Sequence, residues 1–244
     1  MSRNFELLDQ LEKERRNTVA ACRAEPDPTT SAGLRPNVGN RTYEQLNKLV
    51  QRLFLSSRKP SRHVVFTGAG RSVGSTWICV HAAEVLCCQT AGSVCIVDAH
   101  TGTLGVREHF DVPNGAGFAE AIEQAGPMHT FAQRVGSNLW VVPADDSSAV
   151  DIVFYRPRVE ARLLELSRQF DYVLLDAPPV APSSEFLTLV TLAEGAVLVL
   201  KAGHTRRPAV RLAIEELETA GVRILGAVLN QRQYPIPEAI YKRL

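Results

Sequence analysis

The sequence predicts a doubly wound α/β domain, a mainly parallel sheet with helices on both faces. Three observations predict it. Short runs that are apolar at nearly every position alternate with helix-length segments of 3.6-residue period. A glycine-rich turn joins the first run to its helix, and two further runs end on aspartate. At 244 residues, 45% hydrophobic and 22% charged, the chain is long enough to bury a core without disulfides.

In chain order, "MSRNFELLDQLEKERRN" reads as an N-terminal amphipathic helix over 1–17, with Phe5, Leu8 and Leu11 as its stripe. It is marginal alone and is either a frayed terminus or a docking helix. Residues 18–40, rich in Pro, Gly, Thr and Asn without apolar period, read as a flexible linker. The folded domain then spans 41–244. "RTYEQLNKLVQRLFL" starts it with a helix, and Thr42 and Gln45 have capping-box spacing. Strands are expected at "HVVFTG", "SVCIVDA", "LWVVPA", "YVLLDA", "AVLVLKA" and "RILGAVLN". Helices are expected at "STWICVHAAEVLCC", "PRVEARLLELSRQ", "SSEFLTLVTLA" and "RRPAVRLAIEELETAG", the last closed by Gly221.

Charge and composition narrow the partners. A net charge of +1 gives no push toward nucleic acid or an acidic membrane surface. The five cysteines lack metal-ligand spacing and read as small residues in a reducing cytosol. No apolar run approaches the ~18 residues of a membrane span. A cytoplasmic protein is expected, with any membrane link made through a partner.

Chemistry concentrates where three strands end. In "TGAGRSVGST", Gly68, Gly70 and Gly74 let the backbone turn tightly with its N–H groups inward, and the following helix adds its positive end. Thr76 stands where a P-loop places its Mg²⁺-binding hydroxyl, but Ser75 occupies the lysine position. "VCIVDAH" puts Asp98 at a strand end with His100 two residues on, and "YVLLDAPPV" does the same for Asp176. Acidic strand ends suit a metal-water shell in a phosphate site.

This set resembles the bacterial tyrosine kinases of capsule and exopolysaccharide systems, relatives of the MinD/ParA P-loop ATPases. The likeness runs from about residue 41 to the end. "TGAGRSVGSTWICV" is similar to that family's first phosphate motif, "VCIVDAHTGTLGVREHF" to its second acidic motif and "DYVLLDAPPV" to its third. "VLVLKAGHTRRPAV" and "ILGAVLN" resemble its later strands, with Asn230 near the adenine. The resemblance implies ATP and Mg²⁺ as ligands, with Asp98 and Asp176 as catalytic carboxylates and Thr76 completing the metal shell. It also implies partnership with the cytoplasmic part of an inner-membrane polysaccharide co-polymerase or chain-length regulator. Self-assembly into a homo-oligomer and tail phosphorylation, here at Tyr234 and Tyr241, belong to the same pattern.

The departures are specific. Ser75 removes a charge-assisted hydrogen bond of about 1.5–3 kcal/mol, which would weaken ATP binding roughly tenfold to a hundredfold. His100 replaces the second carboxylate of an Asp-x-Asp pair, and Gly102 replaces its arginine. Glu194 stands where the family often has aspartate. Arg71 either reaches a phosphate in place of the lysine or points to solvent; the MinD-type lysine position is Gly70, one residue earlier. In the family's Glu-x-x-Arg-x-x-Arg contact motif, Glu44 survives while Asn47 and Val50 hold the arginine positions. Tyr234 and Tyr241 are separated by prolines, which suits packing of an ordered tail. The expected function is therefore a degenerate kinase-like P-loop protein, a pseudo-enzyme that regulates or scaffolds polysaccharide polymerisation and export. The alternatives are an active tyrosine autokinase and a MinD/ParA-like ATPase.

Overall fold

A computed structural model describes residues 36–56, 60–100, 105–113, 115–124, 126–145, 155–180, 189–190 and 193–232. The expected helix at 1–17, most of the linker, most of the helix expected at 183–193, and both Tyr234 and Tyr241 lie outside the described residues.

The elements are α1 (Asn40–Val50), β1 (His63–Gly68), α2 (Ser75–Gln89), β2 (Val94–Asp98), α3 (Gly105–His109), α4 (Phe118–Glu123), β3 (Gln133–Arg134), β4 (Leu139–Val142), α5 (Arg156–Gln169), β5 (Tyr172–Asp176), β6 (Gly195–Lys201), α6 (Arg207–Thr219) and β7 (Ile224–Asn230). The strands form one sheet in the order β3-β4-β2-β5-β1-β6-β7. Every neighbouring pair is parallel except β3 with β4. From β1 the chain builds outward to β2 and β4, returns to β5, and then crosses to β6 and β7. The carboxyl end of β1 is thus the switch point, where such sheets bind ligands.

Strand side chains alternate between two cores, as the two-residue period of a strand requires. Val64, Phe66, Val94 and Ile96 pack on the side of α1 and α2. Val65, Cys95, Val97 and Val173 pack on the side of α4, α5 and α6. Helices therefore cover both faces, the doubly wound arrangement expected of such continuous apolar runs. Helix α2 is buried on most of its circumference, from Ile78 through Leu86, because α1 lies over it. The described cysteines Cys79, Cys87, Cys88 and Cys95 form no disulfide with one another.

Two local expectations change. Helix α1 begins at Asn40 with Gly39 as its cap and no side-chain capping bond. Thr42 already lies inside the first turn, so the Thr42–Gln45 capping box does not form. Asn47 and Val50 serve the domain's own packing. Asn47 accepts a hydrogen bond from Gln89 on α2, and Val50 is fully buried.

Gly221 behaves as expected. Its φ is +70°, its N–H donates to the Glu218 carbonyl, and the Val222 N–H donates to Leu217, both at 2.9 Å. This is the paired closure of a helix ending in a left-handed residue. An added Cβ meets nothing within 4 Å, so the cost of Gly221→Ala is conformational alone. It should destabilise the domain by about 1–2 kcal/mol in urea unfolding, with an unchanged m-value. A midpoint equal to that of the parent protein would contradict this closure.

Candidate functional site

The site forms at the carboxyl ends of β1, β2 and β5. Residues 69–74 link β1 to α2. Gly74 has φ +85° and Ser72 has φ +56°. A Cβ on Gly74 would stand 2.4 Å from Asn230 Nδ2, and one on Gly68 would stand 2.6 Å from the Gly70 carbonyl oxygen. Both positions require glycine because the loop closes on itself and on β7. Gly70, by contrast, has open space around it.

Backbone bonds hold the strand ends together. The Ala69 N–H donates to Val199, Ala177 to Phe66, Val180 to Gly68, and Ala99 to Asp176, at 2.9–3.1 Å. The buried Thr67 hydroxyl donates to the Pro178 carbonyl at 2.7 Å. The first-turn N–H groups of α2 have no partners within the helix and carry its positive end. Ser75 opens that helix and is buried; Thr76 follows and is half-buried. Arg71 is exposed on the loop.

Asp98 and Asp176 are direct register partners across β2 and β5, at 1% and 0% exposure. Asp98 Oδ1 accepts from the His100 N–H at 3.2 Å. The other Asp98 oxygen and both Asp176 oxygens are buried without a hydrogen-bond partner. Burial raises the Asp98 carboxyl well above its ordinary range, and the neighbouring Asp176 charge raises it further. Burial pushes Asp176 up to about 7. The Thr76 hydroxyl faces Asp176 and partly offsets this, without closing a hydrogen bond.

Such a group of buried oxygens, three without partners, with a hydroxyl beside them, fits a hard divalent cation such as Mg²⁺. Thr76, Asp98 and Asp176 are thus brought together as expected. His100 stands at the rim, its imidazole pushed down by burial and by the Arg71 charge. Arg71 is therefore both exposed and within electrostatic reach of the site.

Asn230, expected beside the base, lies at the end of β7 against the glycine loop. Its Nδ2 donates to the Val73 carbonyl at 2.9 Å, and its Oδ1 accepts from the Gln231 N–H at 2.8 Å. In this structure it holds the glycine loop to the end of β7. Glu194 lies at the opposite edge, at the amino ends of β1 and β6. There it accepts from the Arg62 N–H at 3.1 Å and faces His63 at 3.8 Å. It has no part in the site.

One residue escaped the sequence reading. Arg107, on α3, is 3% exposed, and its charge acts to lower Asp98. Its signal was an arginine set beside the apolar Val106 at the end of the second acidic motif.

Comparison with known proteins points one way. No family model matches the chain. Tyrosine-protein kinase CpsD of Streptococcus agalactiae is 29% identical over 90 residues, 37% of this chain and 38% of the relative. Tyrosine-protein kinase etk of Escherichia coli K12 is 26% identical over 173 residues, 68% of this chain and 23% of the relative. The chain thus spans well under half the length of these curated relatives. The solved kinase domain of Escherichia coli tyrosine kinase ETK superposes with a TM-score of 0.70 at 21% identity, covering 86% of each chain. The chain is similar in sequence to tyrosine-protein kinases of this type, and it shares the fold of their P-loop kinase domain. Among the described residues, no helix is long and apolar enough to cross a membrane.

The carboxylate pair has a pH signature. An unfolded aspartate titrates at about 3.9. Below that pH both states are protonated and burial of the pair costs little. Between about pH 4 and the raised folded value of about 7, the folded state holds more protons, so stability falls as pH rises. In metal-free buffer, Asp176→Asn should raise the melting temperature by several degrees at pH 8 and leave it nearly unchanged at pH 4. An equal shift at both pH values would mean that the buried charge is not the cause.

Proposed function

We propose that this chain is a degenerate kinase-like P-loop protein that binds nucleotide with Mg²⁺ weakly. It regulates or scaffolds a polysaccharide polymerisation and export complex at the inner membrane. One observation carries the reading: the Asp98–Asp176 pair keeps its buried oxygens at the foot of a glycine loop whose lysine position is Ser75.

The loop's N–H groups and the head of α2 bind phosphate through backbone charge alone. Thr76, Asp98 and Asp176 would hold the cation, which would supply positive charge to offset that of the phosphates. Asn230 fixes the loop by its bond to Val73. A P-loop lysine would add a point charge to the transferred phosphoryl group; Ser75 at that position carries no charge, and Arg71 is exposed on the loop. Binding therefore survives while phosphoryl transfer is lost or very slow.

The partner is the cytoplasmic part of a membrane polysaccharide co-polymerase or chain-length regulator. The resemblance of this chain's motifs to those of the tyrosine kinases of capsule and exopolysaccharide systems supports this. Residues 1–17 are the chain's proposed docking segment, and 41–244 its proposed P-loop domain. Asn47 and Val50 are committed to internal packing, so any homo-oligomer uses another surface.

Ser75→Lys tests the reading. It should tighten ATP·Mg²⁺ binding at least several-fold in calorimetric titration. The parent protein incubated with labelled ATP should give no phosphotyrosine above an Asp176→Asn control. Unchanged affinity in a folded Ser75→Lys protein would mean the loop is not a phosphate site. Strong labelling of Tyr234 or Tyr241 that vanishes in the control would make the chain an active autokinase.

A further inference from the structure

A second cluster of chemistry lies away from the carboxylate pair, between α2 and α3. His81 and Glu84 stand one turn apart on α2, and His109 ends α3. His81 Nδ1 lies 2.6 Å from Glu84 Oε2, and His109 Nε2 lies 2.9 Å from Glu84 Oε1. His81 and Glu84 are each 4% exposed, while the His109 side chain is 29% exposed. Burial by itself would raise Glu84, but the hydrogen bonds from His109 and His81 outweigh it and hold the carboxyl below its ordinary value. The carboxylate is thus ionised in a buried position, bridging two imidazoles.

We propose that His81, Glu84 and His109 form a binding site for a divalent transition-metal ion, with Zn²⁺ the best match. The three donor atoms lie within 4.8 Å of one another. Tetrahedral zinc holds nitrogen and oxygen donors at about 2.0–2.2 Å, which puts the donors about 3.3 Å apart. The contacts of His81 and His109 to the two separate Glu84 oxygens open by less than an ångström, and the widest donor pair closes by no more than about 1.5 Å, as the ion replaces the shared protons. Two imidazoles and one carboxylate suit zinc and not Mg²⁺ or Ca²⁺, which prefer oxygen alone. The partly exposed His109 gives the ion a route in and leaves its fourth position toward solvent.

Surrounding contacts hold the donors in place. The His81 ring meets Trp77 edge-on at 4.3 Å and His109 at 5.0 Å, and Phe110 backs His109 at 4.8 Å. Cys87 is turned away, its thiol donating to the Glu84 backbone carbonyl at 3.1 Å. The ion would tie α3 to α2, whose second residue is Thr76. Gly105, the first residue of α3, already abuts Thr76, where an added Cβ would fall 2.9 Å from Thr76 Cγ2.

The test uses the full chain without an affinity tag. Zn²⁺ alone is titrated in equilibrium dialysis against a competing chelator, and Co²⁺ is used as an optical reporter of its ligands. With excess Mg²⁺ present to fill the carboxylate pair, the parent protein should bind one equivalent, with a Co²⁺ spectrum of nitrogen and oxygen donors. His109→Gln and Glu84→Gln should each weaken Zn²⁺ at least tenfold, and the double variant Cys87→Ser/Cys88→Ser should leave it unchanged. His109→Gln is the decisive variant, because its site is partly exposed and its fold is checked by circular dichroism. No bound Zn²⁺, equal affinity in His109→Gln, or thiolate-to-Co²⁺ bands would overturn the proposal. The cluster would then be a proton-sharing network only.

Discussion

Two carboxylates set side by side at the ends of neighbouring parallel strands are the constraint on which the rest of this molecule depends. Asp98 and Asp176 pair in register, and the sheet buries both. Unmatched carboxylates are expensive at such depth, and protonation or a cation is what relieves the cost. The first route makes the domain sensitive to pH. The second fits the proposed divalent-cation site, beside which the Thr76 hydroxyl stands in the first turn of α2. The fold accepts a local penalty here because the surrounding strands, apolar on both faces, are stabilised by two separate cores.

The glycine loop depends on the same arrangement. Its path is fixed from below by β1, from one side by the Ala69–Val199 bond, and from the far end of the chain by Asn230. A loop held at three points keeps its path without reorganising. On the proposed reading, the glycines, Thr76 and the aspartates preserve a phosphate-binding architecture, while Ser75 and His100 remove much of the catalytic charge.

The sequence made the sheet legible because a parallel strand buried on both faces is a continuous apolar run, and six such runs stand clear of their helices. Helices α2, α5 and α6 were equally plain, as was the closure at Gly221. The aspartates could be seen to end strands, but their adjacency could not. It follows from β2 and β5 being neighbours, with 73 residues of chain between them, which no local pattern encodes. Strand β3, two residues long, carries no period, and α3 and α4 are too short to show one. Asn230 bonds a carbonyl 157 positions away, so its role as a loop anchor belongs to tertiary structure. The Thr42–Gln45 spacing misled because α1 starts two residues earlier, at a glycine cap. His81 and Glu84 had helical spacing, yet their partner His109 comes from another helix and gave no signal in the sequence.

The most direct measurement is the titration of the aspartate side-chain carboxyl carbons by NMR, with Asp176→Asn and Asp98→Asn used for assignment. The account predicts a carboxyl in the pair that titrates near 7 in metal-free protein, and whose titration moves to lower pH when Mg²⁺ is added. If both carboxyls titrate in the ordinary aspartate range and ignore Mg²⁺, the pair is not a buried cation site, and the account of the loop built around it fails.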